Sequence, residues 1–451
     1  MKTVQLKILS NLHPNWERDP ILALMDTILS NNLGLYDIVK KDYLKVRKDN
    51  GFGRQDSPSL EQVVRGALYM NFKSVDYNEF EYDQYDSKIC ETFLQLNLLH
   101  PGYTDSTWQK YISEISAETL TKLKVELNKI FIQAGYESLS KLREDSTVVQ
   151  CNIRYPTNNN LVWDCIREAH SILKKIPSSV LLRLGIKIRN FKKQAKRHHF
   201  TLNVAKKGSK KYQETFILQL GILLKSIHQL ERVIFLLKGS KIDFNFSDME
   251  SFLPVIEKVY TNARRHEILS EKVENKDKIF SIFEQHTDII MKGGRAPEFG
   301  HKVNLTSGAS SLILYCETLE GNPSDTKLFQ PTLDKILTSY GTIPGSFSCD
   351  GGYASLANLN YAKEKEIKNI VFTKVVGSLQ NVVSSKKMET QLKKWRSGME
   401  AIISNLKRGF NLRKVNWKGK AHFEAKVLWS VIVYNFRVIT SRILEQLVLD
   451  N

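Results

Sequence analysis

The chain has 451 residues, 42% hydrophobic and 25% charged, enough for two or three domains around a sizeable core and unlike a disordered or fibrous chain. A net charge of +18 and a pI near 9.4 point to a polyanionic partner, nucleic acid ahead of an anionic membrane surface. The start, MKTVQLKILSNLHPNW, lacks an apolar run of signal-peptide length, the apolar stretch 427–436 is too short to span a bilayer, and Cys90, Cys151, Cys165, Cys316 and Cys349 lack zinc-site spacing, so a soluble cytoplasmic protein with buried free thiols is expected.

Residues 1–135 read as a helical N-terminal domain. Ser57-Pro58 predicts an N-cap followed by proline at the first helical position, and Leu60, Val63, Val64, Ala67 and Leu68 then keep helical period. An acidic, aromatic stretch, 76–98, follows. Thr104 or Asp105 can cap a short helix through Trp108 and Tyr111, and Ser116 another running to Ala134. Such a bundle suits DNA binding, and equally a scaffold or dimerisation role.

From Ser138 the pattern predicts two strands joined at Asp145-Ser146, with β-formers at Thr147, Val148 and Val149 and a stop at Pro156. Residues 158–287 read as a helical insertion. Its clearest helix is 210–238, closed by Gly239, and a second spans 247–274. The leading segment, 183–211, holds eleven Lys and Arg and no acid, interleaved with Phe191, His198, His199 and Phe200. That pattern fits a solvated face or the tracking of a phosphate backbone, and makes Lys192, Lys193, Lys196 and Arg197 candidate DNA contacts. The histidine pair reads as solvated or phosphate-facing.

Strands return at 289–292, 299–305 and 312–316, the first two joined by a Gly293-Gly294 turn. Ser324 caps a helix to Tyr340. A short strand then ends at Asp350, before Gly351-Gly352 and a helix from Ala354, and 369–373 is a further strand. The stretch from Lys393 reads as one long helix running into a basic tail at Lys420, and 422–449 as a last amphipathic helix packing on the core. The fold class is mixed α/β.

Asp145 and Asp350 at strand ends and Glu400 in mid-helix each have an ordinary explanation: a turn cap with Ser146, a DG turn, and an exposed Arg396–Glu400 ladder. Together, three carboxylates are what a two-metal phosphoryl-transfer site needs, since Mg²⁺ takes hard oxygen ligands and keeps several waters. Arg396 and Lys407 share a helical face with Glu400 and would hold phosphates, while Met399, Ile402, Ile403 and Leu406 supply the packing face. Gly351 and Gly352 would leave room for a nucleic-acid backbone.

These segments resemble the DDE transposases of bacterial insertion sequences. LREDSTVVQCNIRYPTNNNLVWD is similar to the family's first-aspartate block, EFGHKVNLTS with GNPSDT to its middle strands and following helix, and SFSCDGGYAS to its second-aspartate block. RSGMEAIISNLKRGFNLRKVNWKGKAHFEAKVLWSVIVYNFRVI resembles the third block, and SPSLEQVVRGALYMNFKSVDYNEFEYDQYDS the helical N-terminal domain. Arg396, Glu400 and Lys407 match the last three positions of a Tyr-x2-Arg-x3-Glu-x6-Lys signature, whose tyrosine position is Lys393 here.

The resemblance implies a ribonuclease H-like catalytic core (136–157 with 288–420), interrupted by the helical insertion between its first strands and followed by the C-terminal helix (421–451). It implies Asp145, Asp350 and Glu400 as catalytic and metal-binding residues, with two Mg²⁺ per site and Mn²⁺ as substitute. Arg396, Lys407, Arg408 and Arg413 would contact DNA. The partners implied are double-stranded transposon ends and target DNA, bound by a homodimer at the bacterial nucleoid, with no membrane. The base-stacking tryptophan of hairpin-forming relatives has no counterpart fixed by motif; Trp163, Trp395 and Trp417 are candidates. The alternatives are a metal-dependent DNA nuclease without strand transfer, an inactive DNA-binding repressor derived from a transposase, or a basic structural or RNA-binding protein.

Overall fold

A computed structural model describes residues 18–47, 57–97, 100, 102–291, 296–375, 377 and 379–449. The expected Gly293-Gly294 turn lies outside them. The chain divides into two compact units, the first made of Met1–Asn152 and Ile290–Asn451, the second of Ile153–Ile289.

Unit 1 begins with seven described helices, α1 (Pro20–Ser30), α2 (Gly34–Val46), α3 (Leu60–Lys73), α4 (Tyr77–Asp86), α5 (Lys88–Leu94), α6 (Asp105–Ser113) and α7 (Ala117–Gln133). Most start where a short polar side chain can take an orphan amide. Thr104 and Ser116 cap α6 and α7 as expected. The cap of α3 differs: Ser59, not Ser57, accepts from the Gln62 amide, and Gln62 returns the bond to the Ser59 amide, so Pro58 lies outside the helix.

The sheet is built on β1 (Lys141–Cys151), one continuous strand. The expected break at Asp145-Ser146 is absent because β1 is paired without interruption from Arg143 to Gln150 along one edge. It runs antiparallel to β3 (Glu298–Ser307), with Asp145 opposite Leu305, and parallel to β5 (Ser346–Cys349), with Glu144 beside Cys349. The continuous ladder to β3 outweighs the weak strand propensity of Arg-Glu-Asp-Ser, and β5 adds a second ladder at Arg143 and Glu144. β2 (Asp288–Ile290) marks the chain's return from unit 2. β4 (Ile313–Thr318) pairs antiparallel with the other edge of β3, and β6 (Asn369–Phe372) parallel with β5.

One face of the sheet is covered by α13 (Phe329–Tyr340) and α14 (Leu356–Glu364), whose core joins Leu142, Phe347 and Phe372 to Phe329, Leu333 and Leu359. Next come α15 (Lys386–Arg396), α16 (Gly398–Gly409), β7 (Lys414–Val415) and α17 (Lys420–Leu449). By length and composition α17 could cross a membrane, which the shorter stretch 427–436 did not suggest. Here it packs against α3 and α7 inside unit 1, burying Trp429, Val433 and Phe436. Its polar Asn435 holds both the amide and the carbonyl of Ile313, at 2.9 Å each, so these two backbone groups at the start of β4 are paired.

Unit 2 is helical: α8 (Asn158–Lys174), α9 (Ser178–Leu184), α10 (Lys192–Val204), α11 (Lys210–Lys238) and α12 (Ser247–Glu267) surround Val162, Ile166, Phe216, Leu223, Leu230 and Ile256. α11 has the expected bounds, and Gly239 closes it in right-handed conformation at φ −81°. α12 stops seven residues before the expected end, at Glu267.

Candidate active site

Alternation along β1 decides which side chains meet. Leu142, Glu144, Ser146 and Val148 point to one face, and Arg143, Asp145, Thr147 and Val149 to the other. Because Glu144 sits beside Cys349 in the parallel register, Asp145 and Asp350 are the next residues on adjacent strands. α15 and α16 cross that end of the sheet and bring Arg396 and Glu400. Arg396 Nη2 donates to Asp145 Oδ2 at 2.6 Å; its Nη1 lies 3.4 Å from Glu400 Oε1 and 3.8 Å from Asp350 Oδ1. The three acids, far apart in sequence, therefore gather around one guanidinium. An exposed helical ladder does not describe it, because the Arg396 side chain is only 9% exposed and its Nε is buried without a hydrogen-bond partner.

Asp350 leaves β5 and turns into a 3₁₀ turn. Burial works against its charge, but the Thr373 hydroxyl (2.9 Å), the Arg396 guanidinium, the Gly351 amide and Lys374 outweigh it and hold the carboxyl below the usual range. Asp145 accepts the Ser146 amide at 2.8 Å. The glycines after Asp350 serve a different purpose from the one expected. A Cβ on Gly351 would fall 2.9 Å from Lys374 Cβ, and one on Gly352 2.8 Å from Asp325 Oδ2. Protein, not a nucleic-acid backbone, fills that space.

Glu400 is not in mid-helix. The expected long helix is interrupted at Ser397, which puts Glu400 in the first turn of α16. The cause is Arg143. Its guanidinium is fixed by Ser307 (2.9 Å) and Ser311 (2.8 Å), lies over the Trp395 ring, and donates to the Trp395 carbonyl at 2.6 Å. That carbonyl also takes the Ser397 amide, and the Glu400 amide bonds Ser397 three residues back. Gly398 is required there, since a Cβ would sit 2.3 Å from Arg143 Nη1. Met399, Ile402 and Leu406 bury the opposite side of α16, as their spacing predicts.

Behind the acids lies a polar layer that sequence reasoning missed. Glu144 is fully buried, and burial pushes its carboxyl up to about 8 despite hydrogen bonds from Asn304 (2.6 Å) and Cys349. Tyr353 donates to Asn304 at 2.7 Å. A fourth acid, Asp325, is held by Lys302 at 2.6 Å and Ser146 at 3.0 Å. The only trace of it in the sequence was its place in GNPSDT; nothing in a linear pattern pairs it with Lys302.

Glu400 opens onto a cleft of about 520 Å³ lined by Thr147, Gln150, Lys407, Arg408 and Arg413. Three of the expected DNA-contacting cations are thus placed beside the acids. They also border a second cavity, of about 1080 Å³, reaching Asp76 and Tyr77 at the start of α4. Lys192, Lys193, Lys196 and Arg197 belong to α10 of unit 2, where the last three are exposed. His199, expected to face solvent or phosphate, is buried instead: it stacks on Trp163 at 5.7 Å and bonds Asn159. The other two tryptophans are also in use. Trp395 lies against Arg143 and Lys141, and Trp417 stacks on Tyr77. All five cysteines are buried free thiols.

Three carboxylates sharing one cation, with the Asp350 and Glu400 side chains 47% and 71% exposed, suit a hard divalent ion whose remaining positions are filled by water. Residues 277–436 match the family model of the transposase DDE domain. The match bears out the resemblance read from the blocks around Asp350 and Glu400, and it supports a transposase-type function. Asp145 precedes the matched residues and joins the domain's acids through the sheet. No curated protein and no solved structure matches the chain.

Proposed function

We propose that the protein is a DNA transposase that binds the terminal inverted repeats of an insertion sequence, cleaves the phosphodiester at each end and joins the freed 3′ ends to target DNA. The observation that carries this is the convergence of Asp145, Asp350 and Glu400 on Arg396 within reach of Lys407 and Arg413. The strand arrangement supports a ribonuclease H-like core: β4, β3, β1, β5 and β6 side by side, with β3 alone antiparallel to both neighbours.

Asp145, Asp350 and Glu400 would hold Mg²⁺, two ions per site with Mn²⁺ as substitute, which supplies an activated oxygen nucleophile and charge stabilisation at the leaving oxygen. The chain's own residues do the rest. Thr373 and Gly351 fix the Asp350 carboxylate. Arg143 fixes the turn that aims Glu400. Lys407, Arg408 and Arg413 bind phosphates flanking the scissile bond, Lys192, Lys193, Lys196 and Arg197 bind DNA backbone phosphates, and a homodimer pairs the two ends. Its place of work is the bacterial nucleoid.

The test is cleavage and joining of a donor plasmid carrying the DNA that flanks the gene, with a second plasmid as target. Asp145→Asn, Asp350→Asn and Glu400→Gln are each expected to abolish cleavage while leaving binding of the flanking DNA intact. Parallel loss of binding would remove their catalytic role, and cut but unjoined ends would make the protein a nuclease.

A further inference from the structure

We propose that Arg396 and the divalent metal compete for the same three carboxylates, so that metal binding displaces the guanidinium and releases it toward a DNA phosphate. This rests on the metal-dependent reading above. Asp145, Asp350 and Glu400 bring three negative charges to the Arg396 guanidinium and, at Asp350, Lys374, so the carboxylates outnumber these two cations. The arginine satisfies only one of them closely. Its contact with Asp145 is 2.6 Å, but Nη1 is shared between Glu400 at 3.4 Å and Asp350 at 3.8 Å. Its Nε has no partner although it is buried. A buried donor left unmade is costly, so this seat is an imperfect one for a guanidinium.

A divalent ion on the same oxygens would supply more charge to the acids and would repel the arginine at short range. The displaced group need not travel far to be useful. Glu400, one of its three partners, lines the same cleft as Lys407, Arg408 and Arg413. A guanidinium turned into that cleft matches a phosphate bidentately, so metal and DNA each favour the state the other needs. Without metal, Arg396 keeps the acids together and neutralises part of their repulsion. It is thus a positioning residue before metal binds and a phosphate ligand afterwards.

The experiment is calorimetric titration of Mn²⁺ into the full-length protein and into R396Q and R396K, each checked for folding by circular dichroism, with D145N as control for binding elsewhere. Competition predicts that R396Q binds Mn²⁺ at least about tenfold more tightly than wild type, with R396K between them, because an ammonium cannot span three carboxylates. It also predicts that metal-free R396Q melts lower than wild type and gains more from Mn²⁺. Equal or weaker Mn²⁺ binding by R396Q would overturn the exchange and leave Arg396 a purely supporting residue. If R396Q does not fold, R396K decides by the same comparison. Absence of D145-dependent binding in every protein would instead overturn the metal-dependent reading itself.

Discussion

At the scale of single residues, neighbouring acids on β1 behave in opposite ways because a strand sends them to opposite faces. Asp145 meets a guanidinium, whereas Glu144 meets Asn304 and Cys349 in a buried polar layer, with Tyr353 bonded in turn to Asn304. With its carboxyl raised to about 8, folded Glu144 keeps a proton that the unfolded chain releases near its ordinary value of 4.5. The folded state then binds more protons between those two values, so stability falls as pH rises through that window, by roughly 1.4 kcal/mol per pH unit. Glu144→Gln removes the titration and keeps the shape. Thermal melts from pH 5 to pH 8.5 are expected to show the wild type losing stability on the alkaline side, with the variant flatter and more stable at pH 8. A parallel decline in both proteins would mean that Glu144 is ionised in the fold. Asp350 contributes with the opposite sign: its depressed carboxyl adds stability above its unfolded value that is lost as pH falls through the folded one.

At the scale of elements, the turn between α15 and α16 shows what a linear pattern can and cannot deliver. Four-residue spacing correctly placed Arg396 beside Glu400, and the apolar stripe correctly gave the buried side of α16. The interruption at Ser397 was not legible, because it comes from Arg143, more than 250 residues earlier. The unbroken β1 was missed for the same reason: its distant partner β3 supplies what its own propensity lacks at Asp145-Ser146. Gly398→Ala tests the turn. The new methyl must push Arg143 off the Trp395 carbonyl, and overpacking of this kind costs about 1–3 kcal/mol. In a double-mutant cycle with Arg143→Ala, chemical denaturation is expected to give a combined loss smaller than the sum, since removing the guanidinium makes room for the methyl. Additive losses would separate Gly398 from Arg143. Asn435→Leu probes the other junction. It strips the Ile313 amide and part of its carbonyl bonding, and a loss of about 1–3 kcal/mol in the same assay is expected from stranding buried backbone groups.

Across the whole molecule, the mixed α/β class, the helical character of residues 158–267 and the identity of the converging acids could be read from the chain, while Asp325, Lys302 and the Arg143 clamp could not. The former depend on local period and block order; the latter are contacts between distant segments. The net charge of +18 was legible too, but not its deployment. Lys407, Arg408 and Arg413 line the cleft beside Glu400, and Lys193, Lys196 and Arg197 stand exposed on α10 while Ala195, His199 and Leu202 of that helix turn inward. If both groups neutralise phosphates, each lost contact lowers the slope of log affinity against log salt by about 0.9. Replacing Lys192, Lys193, Lys196 and Arg197 together by Ala is expected to lower that slope by up to about 3.6 for duplex binding. Mn²⁺ binding at the three acids should stay unchanged. Lys407→Ala should lower the slope by about 0.9, one contact, yet reduce cleavage more than affinity, and Lys407→Glu should do worse, because it sets a further acid against the same phosphate. Fluorescence anisotropy from 50 to 300 mM salt reads the slopes. An unchanged slope in the α10 variant would reduce that helix to a solvated surface and leave the cleft of unit 1 as the basic site for DNA.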